Sequence, residues 1–555
     1  MTETLVILVV ALVVIAFATL VGPKLGVAAP LVLVLAGVGA SFLPVFASVE
    51  IEPEWILAGV LPPLLYSSAV SMPAMNFRRE FGAIGGLSVV LVVVTSLALG
   101  LFFMLVIPDL GFAWGVALGA IISPTDAVAT SIIKRTSVSK RVVAILDGES
   151  LLNDATALVL LRTAIVATAA AFSFWGAIGT FAYSVVVAVV IGWLAALLGL
   201  LLRRRISNPT VNTVLSFTLP FLASIPAELL GASGLVAAVV AGIVTGIRAP
   251  RDLTPQTRLS DAQNWRTVEL VLEGAVFLTM GIQITSILAD VEREHAGIGL
   301  AVLIAAGALL ITLLVRAVYV GPLLAVLSWR SARLARMKDR VQGMQERITS
   351  PEGAKETFEE VNHRRRPRSE RDLQRFVSRV TQVVADVEYF LRAPLGWREG
   401  TAVVWAGMRG AVTVAAAQTL PEGTPQRPVL VLIAFAVAVL SLLVQGGTIG
   451  PLLKRIAPQT DKAAVARQAD EERSRLFELM RTSGESIERP PVDGERSAES
   501  FERAKQYQLD LIAAQRAALL DARDNGTFDA DVLETALANL DASQIAIEMR
   551  ATMAE

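Results

Sequence analysis

The sequence contains no cysteine, so disulfide bonds and thiolate metal sites are excluded. Charged residues are also scarce, at 18% of the chain, whereas hydrophobic residues make up 54%. This balance is far from that of soluble globular proteins and indicates a membrane protein. The net charge of -1 gives no sign of a nucleic-acid partner, and we expect none.

Long apolar runs recur from Thr4 to about Ile449, and most are long enough to cross a hydrocarbon layer of roughly 30 Å as a helix. We predict about 13 transmembrane spans. Their approximate bounds are 4–22, 27–46, 54–72, 84–107, 111–132, 141–168, 175–202, 210–226, 233–247, 264–288, 297–327, 397–419 and 427–453. The first run is too long for the core of a typical signal peptide and lacks a basic region before it, so we expect it to be retained.

The loops between these spans alternate in charge. Loops after odd-numbered spans carry Lys and Arg, as at Lys24, at Arg78 and Arg79, and at Arg203, whereas loops after even-numbered spans are neutral or mostly acidic. Because short basic loops stay on the cytoplasmic side, the alternation predicts an outside N-terminus and a cytoplasmic C-terminus. We therefore expect a multi-pass protein of the cell (inner) membrane.

The chain is expected to form one transmembrane domain and two charged cytoplasmic pieces. The transmembrane domain covers 1–456, a charged insertion at 329–396 lies between spans 11 and 12, and a helical tail covers 457–555. The insertion has apolar positions from Leu373 to Leu391 at the spacing of an amphipathic helix. The role of the tail stays open between regulation, dimer contact and a solvated appendage.

Span 5 is interrupted by Ser123-Pro124-Thr125-Asp126. Pro124 removes a backbone donor and clashes with the preceding turn, so we expect the helix to kink or unwind there. The released carbonyls, the Thr125 hydroxyl and the Asp126 carboxylate are then suited to bind a cation. The alternative is a simple proline kink near a helix end, with Asp126 as a cap.

Span 6 has the densest polar run of any span, at residues 147–156. Asp154 is thirteen residues past the start of the span, or about 20 Å along a helix, where ionisable groups mark functional sites. Ser150 and Asp154 share one helix face, and Glu149 and Asn153 share the next. We expect the first pair to bind a cation and the second to make structural contacts; an interhelical hydrogen-bond cluster without a ligand is the alternative.

Span 12 contains an arginine within the glycine-flanked sequence Gly407-Met408-Arg409-Gly410, about 18 Å past Trp397 by helical rise. An arginine at that depth requires a carboxylate partner, because the pair offsets the desolvation of both charges. We predict that Glu149 is this partner. The flanking glycines allow helices to approach closely or to break.

Three other charged residues inside or near spans give weaker signals. Glu273 in span 10 is expected to snorkel towards the cytoplasmic side, to line a pore, or to have no role. Arg162 and Arg316 fall near span ends, where long basic side chains anchor a helix at the membrane surface.

The two interrupted spans are seven apart, with six spans on either side of span 7. This spacing predicts two inverted six-helix repeats joined by a linker helix, with discontinuous helices that cross at the substrate site. The two halves show no sequence similarity, so the repeat is inferred from segment count and break positions alone.

Five motifs occur in order along the chain, at Leu61-Pro62-Pro63-Leu64-Leu65-Tyr66, 123–127, 148–155, 407–411 and Val444-Gln445-Gly446. Together they resemble the monovalent cation:proton antiporter-1 family, which includes bacterial NhaP-type antiporters and animal sodium/proton exchangers. The resemblance extends over most of the chain. It implies a homodimer, with a core domain that moves against a dimerisation domain, and exchange of Na+ or Li+ for H+ in pH homeostasis without a cofactor.

The resemblance also assigns roles to individual residues. Asp154 is implied as the carrier of cation and proton, and the Na+ site would comprise Asp154, Asp126, Thr125 and Ser150. The residues implied to stabilise this site are Glu149, Asn153, Arg409 and Pro124. An asparagine before the key aspartate, as at Asn153, is associated with electroneutral exchange.

One position departs from the family pattern. Many relatives carry an acid where this chain has Ser67, so potassium stays open as an alternative cation. A cation channel is the alternative of another class. An intramembrane aspartyl protease is disfavoured, because the glycine-flanked Asp147 lies too near the cytoplasmic end of its span. We therefore expect a transporter rather than an enzyme.

Overall fold

The computed structural model describes residues 2–25, 28–43, 52–134, 136, 138–169, 174–293, 297–348, 350–361, 369–456, 462–485, 487–490 and 498–552. Those ranges are mostly helical and contain no β-strand, so the predicted all-α fold is confirmed. The chain divides into two compact units. The first comprises 1–253, 257–324 and 397–457, and the second comprises 254–256, 325–396 and 458–555.

The helices are numbered in chain order. The first thirteen are α1 (Thr2–Leu25), α2 (Ala29–Ser41), α3 (Leu61–Ser71), α4 (Ala74–Gly85), α5 (Val92–Val106), α6 (Phe112–Ile122), α7 (Val128–Ile133), α8 (Lys140–Ala169), α9 (Phe174–Arg203), α10 (Pro209–Leu229), α11 (Gly234–Asp252), α12 (Pro255–Ile282) and α13 (Ile284–Arg293). The others are α14 (Ile298–Arg347), α15 (Pro351–Val361), α16 (Glu370–Arg392), α17 (Trp397–Trp405), α18 (Ala411–Gln418), α19 (Arg427–Ser441), α20 (Gly447–Ile456), α21 (Lys462–Gly484), α22 (Ala498–Asn525) and α23 (Ala530–Thr552). Short π-helical segments precede α3 at Trp55–Val60, α5 at Gly86–Leu91 and α20 at Leu442–Gly446.

Nine helical segments in the described part of the chain are long and apolar enough to cross a membrane, and three shorter apolar helices lie at 29–41, 55–71 and 112–122. These twelve segments match twelve of the predicted spans. The remaining predicted span, 397–419, consists of the two short helices α17 and α18. The polytopic helical fold is confirmed, whereas the number of 13 spans and the inverted repeat stay predictions.

The apolar residues of the first unit are divided between its surface and its core. On α1, Leu5, Val9 and Phe17 are exposed, as is expected of side chains that face lipid. The interior contains small and branched side chains, such as Ala196 and Ala237, that pack α9 and α11 closely together. Inside a bilayer an α-helix satisfies its backbone N–H and C=O groups within one segment, whereas a strand at the edge of an open sheet cannot. The first unit accordingly contains helices and no strand in the described ranges.

The second unit combines the insertion and the tail. Val380 and Val384 on α16 pack with Ala354 of α15, as the amphipathic spacing of the insertion predicts. The same helix contacts α22 of the tail, where Gln382 Nε2 donates to the carbonyl of Asp524 at 3.1 Å. The two pieces thus form one compact unit. The predicted start of the tail at 457 lies outside the described residues.

Candidate functional site

The two discontinuous helices meet at their breaks. Residues 123–127 separate α6 from α7, and residues 406–410 separate α17 from α18. The backbone N–H of Asp126 donates to the carbonyl of Met408 at 2.7 Å, so each break supplies a partner that the other lacks. Pro124 has no N–H to continue α6, which explains why the helix ends just before it.

Gly410 allows the Asp126 carboxylate to lie against the second break. A Cβ atom at position 410 would lie 1.4 Å from Asp126 Oδ2, a distance at which no side chain fits. The other carboxylate oxygen, Oδ1, accepts from Val128 N at 3.0 Å, which fixes the orientation of the group. The glycines that flank Arg409 were expected to allow close approach or a break, and Gly410 lies at such a close approach.

The family resemblance implies exchange of a cation for protons, and we expect Gly410→Ala to lower that activity by about 100-fold, because its methyl group displaces Asp126 and a shift of about 1 Å in a reacting group has an effect of that size. Cation-driven proton flux in proteoliposomes measures the loss. The matched control is Gly450→Ala, since a Cβ atom at 450 meets nothing within 4 Å. Flux in the Gly410 variant equal to that of the control would contradict the proposed contact.

Thr125 is held in the first break by two side chains of α8. Its Oγ1 donates to Glu149 Oε1 at 3.1 Å. Asn153 Nδ2 donates to the carbonyl of Thr125 at 3.0 Å and to its Oγ1 at 2.8 Å. All three residues are buried. Glu149 and Asn153, which share one face of α8, therefore fix the backbone of the unwound segment.

The predicted ion pair between Glu149 and Arg409 is wrong, because the partner of Glu149 is Arg316. Arg316 Nη2 donates to Glu149 Oε2 at 2.7 Å, and Nη1 contacts the other oxygen, a bidentate geometry. Arg316 Nε also donates to the carbonyl of Val403 at the end of α17. Both charged side chains are almost fully buried, so Arg316 is not the surface anchor that we expected. Its position as the lone charge between 298 and 329 was the missed signal.

Arg409 stabilises the breaks through backbone carbonyls. Its Nε donates to the carbonyl of Ile122 at 3.0 Å, and its other nitrogens contact the carbonyls of Ser123 and Gly407. A helix that ends inside a bilayer leaves carbonyls without partners, and a guanidinium can satisfy several of them. The backbone N–H of Arg409 donates in turn to Ser441 Oγ on α19.

Asp154 lies in the middle of α8, is 9% exposed and interacts electrostatically with Asp126. Within the described ranges neither carboxylate forms a salt bridge with Lys or Arg, in contrast to Glu149. Ser150 Oγ donates to the carbonyl of Asp147 at 3.0 Å, which leaves its oxygen lone pairs available to a ligand. The structure therefore contains two carboxylates without a basic partner in the described residues: Asp126 at the contact between the breaks, and Asp154, which interacts with it.

A second group of acids lies on α12. Ser67 Oγ donates to Glu269 Oε2 at 3.3 Å, and Glu273, one turn further along, interacts electrostatically with Asp126. The rings of Tyr66 and Trp265, 5.3 Å apart, pack α3 against the same helix. Sequence reasoning missed Glu269, although its spacing of four residues from Glu273 places both on one helix face.

The chemistry of this arrangement suits a monovalent cation and a proton. In the part of the chain that the structure describes, no three acidic, His or Cys side chains cluster as in a divalent metal site. Two carboxylates with neutral hydroxyl and carbonyl oxygens offer hard ligands of low total charge. Each carboxylate can also hold a proton.

Residues 8–338 and 375–455 match the sequence profile of the transmembrane sodium/hydrogen exchangers. An uncharacterized Na+/H+ exchanger of Escherichia coli, YjcE, is 36% identical over 270 residues, which are 47% of this chain and 49% of that protein. An uncharacterized Na+/H+ exchanger of Mycobacterium tuberculosis, Rv2287, is 27% identical over 471 residues, 82% of this chain and 75% of that protein. The sodium, potassium, lithium and rubidium/H+ antiporter of Bacillus subtilis is 29% identical over 276 residues, 48% of this chain and 41% of that protein. The matching region thus spans about half the length of the Escherichia coli protein and 41% of the length of the Bacillus subtilis protein.

The fold is similar to that of a solved structure, the sodium proton antiporter MjNhaP1 from Methanocaldococcus jannaschii at pH 8. The TM-score is 0.54 at 15% sequence identity, and the superposition covers 82% of this chain and 100% of that chain. At this identity the likeness concerns the arrangement of helices. It agrees with the all-helical architecture described above.

Proposed function

The chain belongs to the sodium/hydrogen exchanger family, and on that premise we propose that it is a secondary active antiporter that exchanges a monovalent cation for protons by alternating access. The observation that carries the proposal is the pair of unpaired carboxylates, Asp154 and Asp126, beside two broken helices. Ionisable side chains deep in a membrane protein mark ion pathways, and half-helix ends are where such transporters bind ions.

In the proposed mechanism Asp154 carries either a proton or a cation. Two ionised carboxylates that share a site repel each other, and either a cation or a proton removes this repulsion. Thr125 and Ser150 add neutral oxygens to the site, and Asp126 adds the second charge. The same site accepts either substrate. The protein carries one substrate across the membrane and returns with the other, and this alternation couples the two flows.

We propose Na+ or Li+ as the cation and electroneutral exchange as the stoichiometry. Both follow from the family resemblance, with Asn153 in place of a second aspartate before Asp154. K+ is the alternative, since a relative from Bacillus subtilis is named for exchange of sodium, potassium, lithium and rubidium. The roles of Glu149, Asn153, Arg409 and Pro124 are to hold the breaks in shape.

We further propose a homodimer in the cell (inner) membrane, with the N-terminus outside and the C-terminus in the cytoplasm. The alternating basic loops support this orientation. The family resemblance supports the dimer. In this orientation the loop between α7 and α8, which contains Lys134, lies on the cytoplasmic side.

Purified protein in proteoliposomes tests the proposal. We expect an outward-directed gradient of Na+ or Li+ to move protons inward, with rates that saturate at high cation concentration and are unchanged by an imposed membrane potential. Choline in place of the cation is the control, and K+ is tested in parallel. Rates that rise without saturation would indicate a channel, and the absence of any cation-driven proton movement would refute the proposal.

A further inference from the structure

The charged residues around the site form two levels along α8. Asp147 precedes Asp154 by seven residues, which places both on the same helix face about 10 Å apart. Ser150 lies between them on that face and is bonded to the carbonyl of Asp147. Asp147 is therefore the acid nearer to the start of α8, on a line that leads to Asp154.

Helix α12 also has one acid nearer to the break and one further from it. Glu269 and Glu273 are one turn apart, and the inner residue, Glu273, interacts with Asp126 at the break. The outer residue, Glu269, interacts with Lys134, and its hydrogen bond to Ser67 fixes it against α3. Asp147 and Glu269, the outer pair of acids, thus both interact with Lys134, whereas Asp154 and Glu273, the inner pair, both interact with Asp126.

The ammonium group of Lys134 lies at the outer pair of acids. It directly follows α7, and its Nζ lies 3.0 Å from Asp147 Oδ2. The Lys134 side chain is 54% exposed and that of Asp147 is 27% exposed, so solvent screens the pair and breaking it costs little. The neighbouring pair of Arg141 and Glu80 differs, because each side chain is only 1% exposed and its role is structural.

We propose that Lys134 is a gating residue of the exchange reaction: its ammonium occupies Asp147 on the path to Asp154, and an entering cation must displace it. This inference rests on the proposed function. An ammonium and an alkali cation carry the same charge and use the same carboxylate oxygens, so they compete. The competition lowers the affinity for cytoplasmic cations, and it does so on one side of the membrane only.

The test compares Lys134→Gln and Asp147→Asn in everted membrane vesicles, which expose the cytoplasmic face. We expect Lys134→Gln to lower the KM for the cation by up to about five-fold, the range that an exposed ion pair provides, and to leave the maximal rate unchanged. We expect Asp147→Asn to raise the KM, because it removes the carboxylate that attracts the cation. Arg162→Gln, which removes an exposed arginine from the other half of α8, is the matched control.

The opposite signs distinguish a gate from a structural clamp. A clamp would lose activity when either partner is replaced, and both variants would then change in the same direction. That result, or an unchanged KM in a Lys134→Gln variant that still exchanges ions, would overturn the inference and leave the proposed function intact. A wild-type protein that moves no protons in response to a cation would overturn both. In vesicles of the opposite orientation, the KM of Lys134→Gln is expected to equal that of the wild type.

Discussion

Asp154→Asn is expected to reduce cation-driven proton movement in proteoliposomes to the level of protein-free vesicles. Asparagine has nearly the shape of aspartate but carries no charge and cannot take up the transported proton. The substitution also removes the electrostatic interaction with Asp126, so a cation gains less from binding. Because the Asp154 carboxylate is buried and forms no salt bridge in the described residues, we expect the unfolding temperature of the variant to be no lower than that of the wild type.

Asp109→Asn provides the matched control for this change. Asp109 is exposed in the loop between α5 and α6 and has a φ of 59°, a conformation that asparagine also adopts readily. We expect this variant to exchange ions at the wild-type rate. Exchange by Asp154→Asn at the rate of Asp109→Asn would exclude Asp154 as the carrier, and inactivity joined to a large loss of stability would assign it a structural role.

The membrane fold could be predicted from the sequence. It is driven by the burial of apolar residues in lipid, and such residues form long uncharged runs that are visible in the sequence. The breaks were also predictable. Pro124 cannot continue α6, and Gly407 and Gly410 flank the arginine deep in span 12. The local chemistry of each break follows from residues next to one another in the chain. The structure adds that the breaks touch, through the bond from Asp126 N to Met408 O.

The choice of partner for each buried charge could not be predicted in the same way. The sequence predicts that Glu149 pairs with Arg409, because helical rise places that arginine at a suitable depth, but helical rise does not show in which direction the side chain points. Arg409 instead donates to carbonyls at the end of α6. These carbonyls lack a helical partner only because α6 ends there, which the sequence around Arg409 does not show. The pair that forms, Glu149 with Arg316, joins residues 167 positions apart. They meet because Arg316 of α14 reaches Glu149 on α8 and the carbonyl of Val403 on α17.

The contact between Ser67 and Glu269 could not be predicted from the sequence either. The family resemblance implies that Ser67 stands where many relatives carry an acid, which suggested a missing charge. In the structure Ser67 contacts the carboxylate of Glu269, which lies 202 positions later in the chain. The register between α3 and α12, set in part by Tyr66 against Trp265, decides this contact. Registers between distant helices are not encoded in any local pattern.

Arg316→Gln is expected to lower the free energy of unfolding by about 3–5 kcal/mol, the loss that follows when one member of a buried ion pair is removed. The substitution leaves Glu149 buried without its guanidinium, and it also removes the bond from Arg316 Nε to the carbonyl of Val403. Chemical denaturation in detergent, followed by circular dichroism, measures the change. The control is Arg293→Gln, since Arg293 and Asp290 form an exposed pair that contributes at most about 1 kcal/mol.

The double variant Glu149→Gln/Arg316→Gln decides whether the loss arises from an uncompensated charge or from lost packing. Two neutral amides remove both charges of the pair, so no carboxylate is left buried without its guanidinium, and we expect the double variant to be more stable than Arg316→Gln alone. Transport is expected to be impaired in the double variant, because Thr125 Oγ1 donates to the Glu149 carboxylate and a neutral amide holds the first break less firmly. A double variant that loses the sum of the two single changes would show that the pair contributes through shape rather than charge. Stability of Arg316→Gln equal to that of Arg293→Gln would show that the buried pair does not stabilise the fold.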